Sequence, residues 1–237
     1  MPQPSTRLSP TLLLPLSAAF AALVFSWLGP LAFPLRLLTT IIHELSHGLA
    51  AIMTGGEFLR FVVFPDGSGL AYTRGGVRFL IIPAGYVGTA LFGAGLIMLG
   101  RYPRASRITL GIIGAALVGL TLRFALPTVF SPQILGGLLT LVAGVSMGAL
   151  LLYVAWQRPE RWSLWLLNLL AFWVGLSAIG DLVVLFRITT TPGLTIQSDA
   201  HAMAAITFLP AVFWAVLWVL MALFALGWAL WRTWLRR

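Results

Sequence analysis

The sequence predicts an all-α polytopic membrane protein of about seven transmembrane helices, with a short membrane-associated β-hairpin after the helix that carries an H-E-x-x-H pattern. Of the 237 residues 59% are hydrophobic and only 9% are charged, against about 25% in soluble domains. So few charges cannot cover a water-soluble fold, and the mean hydropathy of +0.98 agrees. A soluble enzyme, a disulfide-bonded secreted scaffold and a disordered chain are therefore excluded.

Seven hydrophobic segments are long enough to cross the bilayer core, which takes about 20 residues. The first is interrupted by Pro15 and Pro30, and its apolar run is too long for a cleaved signal peptide. We expect Pro210 to divide the last into an interfacial or re-entrant piece and a true span. The predicted segments are 11–33, 35–53, 79–99, 108–126, 134–156, 164–187 and 200–234. Without a repeat or low-complexity linker, we assign a single domain over residues 1–237.

One connection, about residues 54–78, differs from the short loops elsewhere. Residues 58–64 are rich in β-branched and aromatic side chains, a Pro-Asp-Gly-Ser-Gly turn signal follows, and residues 70–73 can return as a strand. We predict a β-hairpin at the membrane surface or dipping into it, where protein or a water-filled cavity must cover its backbone. Asp66 is expected to stabilise the turn rather than bind metal.

Small residues recur at a spacing of four inside two segments. Gly85, Thr89 and Gly93 share the third segment, and Gly144 and Gly148 share the fifth. Residues four apart lie on one helix face, and small ones let a neighbouring helix approach closely. We expect both segments to pack tightly against other helices.

The chemistry of the chain is concentrated in His43-Glu44-Leu45-Ser46-His47, which matches H-E-x-x-H inside an apolar helix. Residues four apart on a helix have Cβ atoms about 5–6 Å apart, so the two imidazoles can share one zinc ion. Glu44 beside them is suited to act as general base on a zinc-activated water. Ionisable groups inside a span are by default functional, because burying them in lipid is costly.

A catalytic zinc takes three protein ligands and leaves one position open. The chain has no cysteine, so the third ligand is a carboxylate or His201. We call side A the membrane face that carries residues 54–78, and side B the opposite face. Asp181 lies about six residues from the side A end of its span, roughly 9 Å deep and near the depth of the histidines. Ligand type and depth favour Asp181 as third ligand, with Asp199 as the alternative.

Each of these residues also has a structural interpretation. Asp181 can form an ion pair with Arg123 or Arg187, both near side A. Asp199 stands at the start of an apolar segment, where N-terminal capping residues are found. His201 is more simply explained as a residue behind the ligands or at the interface.

Four stretches of sequence point to a known family. They are H-E-L-S-H-G-L-A-A-I-M-T-G-G, F-P-D-G-S-G, A-G-Y-V-G and Ser198-Asp199-Ala200. They resemble the small bacterial and plant membrane metallopeptidases of the site-2 protease clan, over about residues 35–215 and most strongly over 41–93. Members of that clan often present their ligand aspartate in an Asp-Gly turn, whereas here Gly180 precedes Asp181 inside a helix.

The resemblance implies a zinc-dependent protease that acts in or at the membrane. It assigns His43 and His47 as zinc ligands, Glu44 as general base and an aspartate from a later span as third ligand. It also implies that the hairpin at 57–73 corresponds to the β element thought to pair with an extended substrate, and strand addition is a sound way to hold one.

We therefore predict a zinc metallopeptidase, with Zn²⁺ as cofactor, that hydrolyses peptide bonds of membrane-associated substrates. The alternatives are a non-catalytic subunit or pseudo-protease with the same fold, and a metal or ion transporter using the His/Asp cluster. The expected partners are the lipid bilayer and a membrane-protein substrate whose binding residues are unknown, with a regulatory or assembly partner as a further option. Membrane topology explains the net charge of +9, so no nucleic acid is expected.

We expect a multi-pass protein of the bacterial inner membrane. Its orientation stays open because two arguments disagree. Nine of the 15 arginines fall on side B and six on side A, so the positive-inside rule makes side B cytoplasmic. The resemblance instead puts the zinc site, and with it side A, nearer the cytoplasm.

Overall fold

The computed structural model describes residues 10–190 and 198–236, which form eight α-helices and one two-stranded sheet. The helices are α1 (Pro10–Trp27), α2 (Phe33–Met53), α3 (Arg78–Leu99), α4 (Pro103–Val129), α5 (Ile134–Gln157), α6 (Glu160–Thr190), α7 (Asp199–Thr207) and α8 (Ala211–Leu230). The strands are β1 (Glu57–Val63) and β2 (Gly69–Arg74). A 3₁₀ turn at Gly29–Ala32 joins α1 to α2, and a π-helical turn at Trp231–Leu235 follows α8.

Five helices in this described part are long and apolar enough to cross a membrane, namely α3, α4, α5, α6 and α8. The protein is therefore an integral membrane protein, but the predicted count of seven spans is not confirmed. The apolar part of α1 is shorter, and α2 carries four ionisable side chains at Arg36, His43, Glu44 and His47. Most of the predicted loop at 188–199 lies outside the described residues.

The last hydrophobic segment divides as predicted. Phe208 ends α7 with a φ of 62°, in the left-handed region, and Pro210 precedes the first residue of α8. Proline has no N–H and clashes with the preceding turn, so α7 cannot continue through it. Met203 of α7 and Trp218 of α8 share one buried cluster with Ile82 of α3. The short helix α7 is thereby fixed against the helix that follows the hairpin.

The strands form the predicted antiparallel hairpin, whose register begins with Glu57 opposite Arg74. Asp66 stabilises the turn, because its Oδ1 accepts hydrogen bonds from the Ser68 hydroxyl at 2.7 Å and the Ser68 amide at 2.9 Å. These two donors, the hydroxyl first, hold the pKa of Asp66 below its usual range.

Strand β1 lies inside the protein. Phe61 and Val63 are fully buried, and their backbone groups find partners on neighbouring helices. The Thr128 hydroxyl of α4 donates to the Phe61 carbonyl at 2.9 Å, and the Val63 amide donates to the Thr140 hydroxyl of α5 at 2.7 Å. Backbone in an apolar environment needs such partners, so α4 and α5 provide the cover that the sequence required.

Helices α4 and α5 meet at small residues. Gly144 of α5 faces the side chain of Thr121, and Gly148 lies against the backbone of Gly114 on α4. A Cβ on Gly148 would come within 2.8 Å of the Gly114 carbonyl oxygen. The predicted close packing of the fifth segment is therefore confirmed.

We expect Gly148→Ala to lower the free energy of unfolding by about 1–3 kcal/mol, because the added methyl group overpacks this interface. Gly119→Ala on α4 is the matched control, since nothing lies within 4 Å of a Cβ at that position. Unfolding in detergent, followed by circular dichroism, measures both variants. Equal stability of the two would contradict the packing argument.

Candidate metal centre

Helix α2 places His43 and His47 one above the other on one face. Their Nε2 atoms are 3.1 Å apart and their rings are nearly perpendicular, with an interplanar angle of 78°. His47 and the intervening Glu44 are buried, with 8% and 5% of their surfaces exposed. The four-residue spacing therefore brings two imidazole nitrogens to one point inside the protein.

Contacts from α3 orient both imidazole rings. His47 Nδ1 lies 2.8 Å from the carbonyl oxygen of Ile81. A carbonyl oxygen only accepts, so Nδ1 carries the proton and Nε2 keeps its lone pair for a metal. The ring of Tyr86 packs edge-on against His43 and stacks on Trp218 of α8.

Asp199, the first residue of α7, completes the group. Its Oδ2 lies 3.3 Å from the Nε2 atoms of both His43 and His47, and one ligand atom from each residue falls within 4.8 Å of the others. The Ser198 amide donates to His201 Nδ1 at 3.4 Å, and the Ser198 side chain accepts from the His201 amide, which forms the capping box of α7. His201 thus stabilises the helix end that presents Asp199, as expected of a residue behind the ligands.

Gly85 of α3 lets that helix approach both imidazole rings closely. A Cβ built on Gly85 would overlap the Nε2 atoms of both His43 and His47. Two imidazole nitrogens and a carboxylate oxygen form a donor set that fits zinc. The small-residue spacing of the third segment therefore serves the site as well as helix packing.

The hairpin approaches Glu44 from the opposite side. Gly69 lies so near that a Cβ there would come within 2.5 Å of the Glu44 Oε1 atom, and the backbone of Ala71 interacts with the same carboxylate. The Thr40 hydroxyl donates to the Gly67 carbonyl at 2.8 Å. These contacts fix the start of β2 against α2 beside the metal-ligand group.

A cavity of about 610 Å³ opens at this point and is lined by residues of α2, the hairpin, α3, α6 and α7. Asp181 of α6 lines it together with His43, Glu44 and Asp199. The structure therefore brings together both histidines and the alternative acid Asp199, while the favoured acid Asp181 stands in the cavity wall outside the group. The depth estimate favoured Asp181, but depth along a helix does not give the direction in which that helix presents its side chain.

Several contributors to the site have little or no sequence signal. Gly69 and the carbonyl of Ile81 act through backbone proximity, which only the folded chain creates. The A-G-Y-V-G stretch could have identified Gly85, because a glycine directly before an aromatic residue in that span suggests close approach to the H-E-x-x-H helix.

The fold and this group of residues define a membrane protein built around a buried H-E-x-x-H helix. A family model described as Peptidase M50B-like matches residues 16–229. The chain therefore belongs to this family of membrane metallopeptidases, which is the site-2 protease family, and the resemblance read from the motifs is confirmed. No curated protein and no solved structure matches the chain significantly.

We expect Gly85→Ala to abolish zinc binding, because the added methyl group would overlap the Nε2 atoms of both histidines and displace them. Gly95→Ala on the same helix is the control, since a Cβ there meets nothing within 4 Å. Zinc content of the purified proteins should fall from about one ion per chain to near zero in Gly85→Ala only. A stoichiometric zinc content in folded Gly85→Ala would refute the assigned metal position.

Proposed function

We propose that the protein is a zinc-dependent endopeptidase that hydrolyses peptide bonds of membrane-associated proteins. The observation that carries the proposal is the convergence of ligand atoms from His43, His47 and Asp199 beside the close approach of Gly85. The adjacent Glu44 supplies the proton-transfer group that peptide hydrolysis needs. We propose the bacterial inner membrane as its location, in keeping with the bacterial metallopeptidases that its motifs resemble.

Asp199 is our proposed third ligand in preference to Asp181. Its carboxylate oxygen is equidistant, at 3.3 Å, from the two histidine nitrogens. Helix α7 is held by its capping box and by packing on α3, so Asp199 is presented from a fixed helix end. Ligands on a rigid support lose little conformational freedom when the metal binds.

When bound, zinc supplies a Lewis acid that lowers the pKa of a coordinated water to about 7 and polarises a carbonyl. Glu44 takes the proton from the attacking water at its carboxylate and delivers it to the nitrogen of the leaving amine. The hairpin residues Gly69 and Ala71 hold that carboxylate in place. The buried position of Glu44 excludes bulk water, which strengthens its interactions with reacting groups.

We propose that β2 holds the substrate in an extended conformation. Four of its residues line the cavity, namely Gly69, Leu70, Ala71 and Thr73. Within the described chain β2 pairs only with β1, so its other edge is available to a peptide segment. Strand addition of this kind gives affinity through backbone hydrogen bonds and exposes the scissile bond.

We expect Glu44→Gln to bind zinc normally and to lose cleavage by about 10²–10⁴-fold, because the amide cannot accept the proton. The test uses full-length protein in lipid nanodiscs and a substrate found by comparing cleaved N-termini in cells with wild-type or variant protein. The proposal fails if wild type binds no zinc, or if Glu44→Gln cleaves that substrate as fast as wild type. Zinc flux into proteoliposomes would favour the transporter, and zinc binding without cleavage would favour a non-catalytic subunit.

We expect Asp199→Asn to weaken zinc affinity by at least about 100-fold, since losing even an outer partner of a ligand costs about 10–100-fold. Asp181→Asn is the matched variant and should retain wild-type zinc affinity. Competition with a zinc chelator measures both. The opposite result, with zinc lost only in Asp181→Asn, would reassign the third ligand.

A further inference from the structure

Asp181 is an acid without a partner. Within the described residues, no hydrogen bond or ion pair reaches its carboxylate. The side chain is exposed to the cavity that also contains His43 and Glu44. The ion pair with Arg123 that the sequence allowed is not formed.

An isolated carboxylate is costly at this position. Helix α6 is one of the five helices able to cross the membrane, and a charge in such a helix normally pairs within the protein or lines a functional cavity. The three-residue metal group is complete without Asp181. Beyond the described residues, the partner we consider is therefore a group that enters the cavity.

The charge of the cavity identifies the kind of partner. Its lining carries three acids, Glu44, Asp181 and Asp199, and one arginine, Arg78. Glu44 and Asp199 are both in contact with other groups of the site, so Asp181 is the acid left for a ligand. A carboxylate only accepts hydrogen bonds, and its strongest partners are the N–H donors of lysine and arginine.

We propose that Asp181 is a substrate-recognition residue that binds a lysine or arginine side chain beside the scissile bond. This inference rests on the proposed function, because it takes the cavity to be the peptide-binding site. The cation of the substrate supplies the charge partner that the described residues do not provide at this position. The protein therefore selects membrane-associated segments that carry a basic residue near the cleavage point.

Binding tests the inference without catalysis. The probes are fluorescent peptides that share one membrane-associated sequence with norleucine at its central positions. In each peptide, lysine replaces norleucine at one of these positions. The peptides are titrated against full-length Glu44→Gln and Glu44→Gln/Asp181→Asn in nanodiscs. We expect lysine at one position to tighten binding to Glu44→Gln by about 30-fold or more, and this preference to vanish in the double variant. The control variant Glu44→Gln/Glu160→Gln removes an acid at the other end of α6 and should keep the preference for lysine.

Cleavage provides a second readout. The ratio of kcat/KM for the lysine and norleucine peptides should fall from about 30 in wild type to about 1 in Asp181→Asn. A cation preference unchanged by Asp181→Asn, or no lysine preference at any position, would overturn the inference. An equal loss of kcat/KM with both peptides in Asp181→Asn would instead indicate that Asp181 carries protons. Loss of bound zinc in this variant would indicate that Asp181 is a metal ligand. If wild type cleaves neither peptide but the Asp181-dependent binding preference persists, the proposed protease activity fails and the recognition site stands.

Discussion

The close approach of α3 to α2 at Gly85 is the contact on which the candidate site depends. Any side chain at position 85 would overlap the Nε2 atoms of both histidines and displace them. The same contact brings the Ile81 carbonyl to His47, which fixes the protonation of that ring. Tyr86, one residue further along α3, packs against His43 and connects it to Trp218 of α8.

A second constraint comes from placing a β-hairpin among membrane helices. Strand backbone in an apolar environment is costly unless every polar group has a partner. The hydroxyls of Thr128 and Thr140 meet this requirement for β1. Because β1 is anchored in this way, β2 can lie against Glu44 with a free edge toward the cavity. Helices α4 and α5 are distant in sequence from the motif. The hairpin thus connects them to Glu44.

The acids of the cavity lie in different environments. Asp199 faces two imidazoles, Glu44 lies against the backbone of β2, and Asp181 forms no hydrogen bond or ion pair within the described residues. Three carboxylates around one cavity can thereby provide a metal ligand, a base and a recognition group. An acid inside a membrane-spanning helix is costly to desolvate, so such acids are by default functional.

The sequence by itself determined the membrane class, the hairpin and the H-E-x-x-H centre. The class follows from composition, the hairpin from strand-forming residues on either side of a turn signal, and the centre from the helix period. The division at Pro210 was likewise predictable, because proline acts on its own helix. Only the tertiary structure decided that Asp199 rather than Asp181 meets the histidines, and that Gly69 borders Glu44. Those contacts join residues far apart in the chain, and depth along a helix says nothing about the direction in which a side chain points.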